Sequence, residues 1–389
     1  MLVDSIIFYI FLIFTGAAIL ATIALYARQS LLVVYILLGV VLGPSVLDLV
    51  SDPKIIREIS HIGIMFLLFL LGINLPPQKL LLMLHKTTLV TGVSSLFFLA
   101  IGAGCALLFG FALVESVIIG AAMMFSSTII GLKLLPTTVL HHQHTGEIIV
   151  SILLMQDIIA IVILMLLPAE WEMALPVLEI LQLIFSLFGL VAFAFIFERF
   201  ILIKLIQRFD RIQEYIFLMA IGWCLGMAEL AAVMGLSAEI GAFIAGIMLA
   251  TNPISMFIGE SLKPLRDFFL IIFFVALGAS FDLIIIDQVW LPAAIIATLA
   301  LVLKPYIFKW LLNYSGEPGP TSMEVGVRLG QISEFSLLIA VLALELSVIS
   351  QKASYLIQLS TLMTFLVSSY LIVMRYPTPI ATSDRLRRD

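Results

Sequence analysis

The sequence predicts an all-α polytopic membrane protein of thirteen transmembrane helices. Three observations predict it. Of 389 residues, 62% are hydrophobic and only 12% charged, with a net charge of −5 and a mean hydropathy of +1.22. A soluble domain carries about 25% charged residues, so so few charges could not cover such a core. That excludes a soluble enzyme, a disordered chain and a nucleic-acid binder. The apolar runs are also long and continuous, of the length that a helix needs to cross a bilayer. They do not alternate as the strands of a membrane barrel do. Finally, the basic residues collect in alternate connections, as they do in multi-spanning proteins.

The elements follow in order from Pro, Gly and charged punctuation. Segment 5–26 has no basic residue before it, Arg28 just after it and no small-residue cleavage site, so it reads as a span and not a signal peptide. Segments 31–47 and 59–75 are divided by a polar stretch holding Asp52, Pro53 and Lys54. Pro76, Pro77, Lys79 and Lys86 precede 87–110, and Gly110 divides it from 114–135. A loop with His141, His142 and His144 leads to 147–167, which Pro168 ends. Segment 175–203 runs into Arg199, Lys204, Arg208 and Arg211. Gly235 divides 214–234 from 236–251, and Lys263 and Pro264 precede 266–281. Segments 289–312, 324–347 and 354–375 complete the set, and 377–389 is a short charged tail.

With the N-terminus outside, fifteen basic residues fall in inner loops and the tail against three in outer loops. The expected orientation is therefore N-out and C-in. An odd span count suits two six-helix repeats of inverted topology, spans one to six and eight to thirteen, with span seven as a linker. Gly72 and Gly278, Gly120 and Gly326, and Ser127 and Ser333 are each 206 residues apart in corresponding spans.

Polar residues at mid-membrane carry the functional reading. Span six places Gln156 and Asp157 at its centre. A carboxylate there costs about 2.5–3.5 kcal/mol on insertion scales, so it should face a cavity or a partner. Asp157 is the candidate cation and proton site, with a buried ion pair to Lys304 as the bland alternative. Span five carries Ser126, Ser127 and Thr128, and span twelve carries Gly330, Gln331, Ser333 and Glu334, at mid-membrane. Two corresponding spans interrupted by small polar residues point to discontinuous helices around a binding site. Lys304 either pairs with Asp157 or Glu334 or snorkels to the interface, and Arg328, nearer the inner end of span twelve, either snorkels or is held within the span. The three loop histidines, and Glu229 and Glu239 near the outer side, are weaker candidates. Cys105 and Cys224 read as packing residues, not a disulfide or metal site.

The stretches FSSTIIGLKLL (125–135), LLMQDIIAI (153–161), GLSAEIGAFIAGIMLA (235–250), ESLKPLRDFFLIIFFVALGASFDL (260–283) and GQISEF (330–335) resemble the monovalent cation:proton antiporter-2 family. They are most similar to the transmembrane domain of its Kef-type potassium efflux systems, over nearly the whole chain. The resemblance implies a sodium/proton-antiporter-like fold in which spans five and twelve cross as broken helices. It implies a homodimer in a bacterial inner (plasma) membrane, with a dimerisation part at about 1–85 and 214–281. The linker helix would be about 175–203, and the ion-transporting core about 87–167 and 289–375. It implies that Asp157 binds cation or proton competitively, that Gln156 favours potassium over sodium, and that Lys304 is the core lysine. Ser126, Ser127, Thr128, Ser333 and Glu334 would support the site. The cargo would be a monovalent cation at Asp157 and a proton, exchanged by elevator-like alternating access, with no cofactor. A sodium/proton antiporter and a gated potassium channel are the alternatives. Full-length Kef-type proteins carry a cytoplasmic regulatory domain. This chain is expected either to be part of a longer protein or to be regulated otherwise, with any such domain or subunit absent from it.

Overall fold

The computed structural model describes residues 6–378, apart from 28–30, 45, 50–52, 74–76, 134–143, 168–176, 210, 237 and 280–282. His141, His142 and nearly all of the charged tail lie outside the described residues. The described secondary structure is helical throughout, with Thr378 alone in an isolated bridge.

The helices are α1 (Ile6–Tyr26), α2 (Leu31–Leu42), α3 (Pro53–Ile73), α4 (Pro77–Leu108), α5 (Leu113–Met124), α6 (Thr128–Lys133), α7 (His144–Leu166), α8 (Val177–Phe197) and α9 (Ile203–Arg208). They continue as α10 (Gln213–Val233), α11 (Ala238–Ala250), α12 (Ile254–Ala279), α13 (Leu283–Tyr314), α14 (Gly319–Arg328), α15 (Glu334–Glu345) and α16 (Gln351–Arg375). A π-helical turn, Glu198–Leu202, joins α8 to α9, so the chain runs through as one long helix. Every expected span coincides with a helix or, for spans five and twelve, a pair of short ones. Seven helices among the described residues are long and apolar enough to cross a membrane by length and composition, and α2, α5 and α11 are shorter apolar helices.

Several helices outrun the hydropathic segments. The α12 helix continues through Pro264, and α13 through Pro292 and Pro305. Proline and charge end an apolar run, but a helix in tertiary contact tolerates one missing N–H, so its polar first turns stay helical.

The chain forms two compact units. One comprises Met1–Phe14, Leu42–Leu82 and Pro168–Ser280. Within it α3 packs on α11 and α12, and α10 packs on α11. The approach is close because glycine faces backbone: a Cβ on Gly246 would collide with the Phe69 carbonyl oxygen, and one on Gly72 would stand 2.5 Å from that of Phe243. Small residues at such crossings are how helices pack where lipid removes the hydrophobic driving force.

The other unit comprises Thr15–Val41, Met83–Leu167 and Phe281–Asp389. Here α13 packs on α14 and α16, and α15 packs on α5, α7 and α16. Glu115 fixes one end of this unit. Its carboxylate accepts from the N–H of Ala112 at 3.2 Å, closing the first turn of α5, and from that of Ser350 at 2.8 Å, where α16 begins.

The 206-residue repeat reappears in this packing. A Cβ on Gly120 would collide with the carbonyl oxygen of Leu99, and one on Gly326 would stand 2.5 Å from that of Pro305. Leu99 and Pro305 are themselves 206 residues apart. Gly326→Ala is therefore expected to cost about 1–3 kcal/mol through overpacking against fixed backbone. Gly104→Ala, which meets nothing within 4 Å, should be neutral or slightly stabilising. Thermal unfolding of the two purified variants compares them directly.

Candidate functional site

Two interruptions build the site. In the first, α5 stops at Met124, Phe125 turns extended (φ −84°, ψ 149°), and α6 begins at Thr128. In the second, α14 stops at Arg328 and α15 begins at Glu334 after an extended Ser333 (φ −101°, ψ 158°). Serine and glycine are poor helix interiors and serine is a good N-cap, which is why FSS and GQIS break here. Ser127 Oγ accepts from the N–H of Ile130 at 3.1 Å and Ser333 Oγ from that of Phe335 at 3.1 Å. Ser127 and Ser333 are the 206-spaced pair, and each caps a restarting half-helix.

The breaks are tied to each other. Ser126 Oγ donates to the Leu329 carbonyl at 2.8 Å, and Ser336 Oγ donates to the Ala122 carbonyl at 2.6 Å. Gln331 Nε2 donates to the Arg328 carbonyl at 2.9 Å and, at 3.4 Å, to that of Ser127.

Lys304 sits at the meeting of the two broken helices. Its ammonium donates to the carbonyls of Phe125 at 2.7 Å and Gln331 at 2.9 Å, and lies 5.2 Å over the Phe98 ring. Phe125 and Gln331 are 206 residues apart, and so are Phe98 and Lys304. The lysine thus holds one equivalent carbonyl from each half, just past the C-terminal end of α5 and of α14, where backbone carbonyls concentrate negative partial charge. This corrects both sequence expectations for Lys304. It is fully buried and does not snorkel. Its partners are main-chain oxygens and no ion pair to Asp157 or Glu334 appears among the described residues. Sequence hydropathy cannot foresee this, because the partners are backbone groups freed by unwinding. Arg328 does not snorkel either. It is fully buried, with Nε 3.0 Å from Glu324 and a guanidinium N–H donating to the Pro377 carbonyl at 2.9 Å.

Asp157 lies near the middle of α7, only 2% exposed. Oδ1 receives a long hydrogen bond from Thr128 Oγ1 at 3.4 Å, at the first residue of α6. Oδ2 is buried and has no hydrogen-bond partner among the described residues. Glu334, the first residue of α15, is buried in the same unit. Gln156 is committed to the first break: Oε1 accepts from the Ser126 N–H at 3.0 Å and Nε2 donates to the Met124 carbonyl at 3.1 Å. Its amide therefore replaces helical hydrogen bonds that the break has removed.

The eight sequence-named residues, Ser126, Ser127, Thr128, Gln156, Asp157, Lys304, Ser333 and Glu334, fall together in this one unit. Sequence reasoning did not single out α16. There Thr364 Oγ1 accepts from the Ile332 N–H at 3.1 Å, and Ser368 Oγ donates to Gln331 Oε1 at 3.0 Å. Thr364 does for the second break what Gln156 does for the first. The signal was present, since α16 carries buried hydroxyls at 360, 361, 364, 368 and 369 in an apolar setting. His144 does not face this site. It is exposed and bonds Glu317 at 2.9 Å.

The family profile described as "Sodium/hydrogen exchanger, transmembrane" matches residues 10–374. The chain belongs to the sodium/hydrogen exchanger family. It is thereby a multi-pass membrane protein of a transporter family and not an enzyme. It is 28% identical over 359 residues to the iron transporter MagA of Paramagnetospirillum magneticum, covering 90% of this chain and 81% of that one. It is 29% identical over 374 residues to K(+) efflux antiporter 4 of Arabidopsis thaliana, covering 93% of this chain. The chain spans 62% of the length of that antiporter. Its fold is similar to that of the sodium proton antiporter MjNhaP1 from Methanocaldococcus jannaschii. The TM-score is 0.73 at 17% identity, over 94% of this chain and 95% of the other.

Proposed function

We propose that the chain is a monovalent cation/proton antiporter that exchanges potassium for protons at Asp157. One observation carries the reading: a deeply buried carboxylate with one long hydrogen bond and one oxygen without a partner among the described residues. Such a group is costly to leave charged and bare. It is neutralised by binding a proton or a cation, and a bound proton leaves no charge to hold the cation. With Lys304 held by carbonyls and Glu334 itself an acid, nothing described nearby can substitute for that occupant. This supports exchange over leak.

Gln156 and the hydroxyl of Thr128 support the site. With its amide tied to backbone, Gln156 positions the break beside Asp157 and adds no charge. A neutral neighbour suits a large, weakly hydrated ion, and together with the Kef-type resemblance and the potassium efflux relative it favours potassium over sodium. The name of the first relative raises iron. Among the described residues no group of three or more His, Cys, Asp or Glu side chains could hold a metal ion, and soft or imidazole ligands are the usual choice for such metals.

The core part, about 87–167 and 289–375, carries the site, and the part at about 1–85 and 214–281 forms a homodimer, with 175–203 as the linker helix. Access alternates by elevator-like displacement of the core. Fifteen inner against three outer basic residues support an N-out, C-in orientation in a bacterial inner membrane.

Proteoliposomes with an internal pH dye test the proposal, with potassium, rubidium, sodium and lithium supplied in turn. Potassium and rubidium are expected to drive proton movement more strongly than sodium or lithium. The reverse order assigns a sodium/proton antiporter on the same fold. Potential-driven potassium current without obligatory proton counterflow makes the protein a channel and ends the exchange reading.

A further inference from the structure

Around the crossed breaks the buried hydroxyls are spent on named partners. Those elsewhere on the helices of this unit mostly reach back to their own backbone. Ser151, Ser360, Thr361 and Ser369 each donate to the carbonyl four residues earlier, the ordinary solution for a helical hydroxyl. Two hydroxyls on α4 do neither. Thr91 and Ser95 are 0% and 2% exposed, and neither Thr91 Oγ1 nor Ser95 Oγ has a hydrogen-bond partner among the described residues. Ser94, also fully buried, donates to the Thr91 carbonyl at 3.0 Å, which leaves its oxygen free to accept.

Their position along α4 gives this cluster a direction. Thr91, Ser95 and Phe98 are spaced i, i+4 and i+7, so they form one stripe of the helix. Phe98 is the ring beneath the Lys304 ammonium. Ser95 is about 4.5 Å and Thr91 about 10 Å along the axis from Phe98, at 1.5 Å per residue. The stripe therefore leads from the lysine at the breaks towards the N-terminal end of α4. A buried water needs two to four polar partners, and three hydroxyls within about one turn supply them.

We propose that Thr91, Ser94 and Ser95 form a hydrated step through which water-borne protons and monovalent cations approach the crossed breaks from the N-terminal side of α4. Naming the cargo rests on the exchanger reading above. The hydration itself does not.

Cysteine accessibility tests it. The chain has two cysteines, both buried and unpaired, so Cys105→Ser with Cys224→Ser gives a clean background. Ser95→Cys and Leu96→Cys are then treated in proteoliposomes with a trimethylammonium-ethyl methanethiosulfonate. Leu96 is the adjacent apolar position, 67% exposed, where lipid should keep a thiol dry. The charged reagent needs a hydrated thiolate, so Ser95→Cys is expected to react at least about tenfold faster. Thr91→Cys should behave likewise and stands in if Ser95→Cys does not fold, as judged by monodisperse elution. As a second reading, Thr91→Val, which removes the hydroxyl and keeps the shape, should slow exchange several-fold with apparent cation affinity unchanged. Equal labelling at 95 and 96, or full exchange rates in Thr91→Val, would overturn the hydrated step. Labelling in a protein that moves no cation in any flux assay would leave the step standing and remove the exchanger reading instead.

Discussion

Asp157→Asn should fold, reach the membrane and show no cation-dependent proton flux above empty liposomes. Asparagine keeps the shape and can still accept from Thr128, but it can neither release a proton nor neutralise a cation. The substitution removes a buried charge whose second oxygen lacks a partner among the described residues, so thermal stability should equal or exceed that of the parent protein. That pairing of outcomes separates a transport site from a structural acid, which would lose stability when neutralised. Competition between proton and cation has a second signature in the parent protein. Where protons hold the site, apparent cation affinity should tighten about tenfold for each unit rise in pH, then level off once the carboxylate is deprotonated. Exchange at parental rates by Asp157→Asn, or an apparent affinity that ignores pH, would remove Asp157 from the mechanism.

The side chains of this site were legible in the sequence because lipid makes polarity rare. Asp157, Glu334, Lys304 and the serine clusters stand out in apolar runs, and the 206-residue spacing of Ser127 and Ser333 already paired the two halves. Their partners were not legible. From sequence, Lys304 has either a carboxylate, Asp157 or Glu334, or the membrane interface to turn to, whereas its ammonium meets the carbonyls of Phe125 and Gln331. A carbonyl becomes available only where a helix unwinds, and the sequence prints the same backbone at every position. Thr364 and Ser368 were overlooked for a related reason. A helical hydroxyl usually satisfies itself locally, so nothing in the run distinguishes one that reaches the Ile332 N–H from one that does not. The repeat could have supplied the missing step. Phe125 and Gln331 are equivalent positions, as are Phe98 and Lys304, and a pseudo-symmetric crossing brings such pairs to one axis.

Lys304→Ala should be the most destabilising single change in the crossing, by about 3–5 kcal/mol. Three losses combine there. The side chain is fully buried, so alanine leaves a cavity. Two carbonyls lose bonds of 2.7 and 2.9 Å, each of the charge-assisted kind worth about 1.5–3 kcal/mol. The C-terminal ends of two half-helices also lose the cation that offsets their like partial charge. Lys304→Met separates these contributions, because it restores most of the volume and none of the hydrogen bonds. Burying an ammonium is itself costly, and an apolar residue of similar size often replaces a buried ion pair without loss. In that case both partners leave together. Here the two carbonyls remain, buried and facing the methionine. Lys304→Met should therefore recover part of the stability lost in Lys304→Ala and stay measurably below the parent in thermal unfolding. A methionine protein as stable as the parent would mean that the ammonium only fills space, and that the broken helices hold their crossing through Ser126, Ser336 and Gln331 alone.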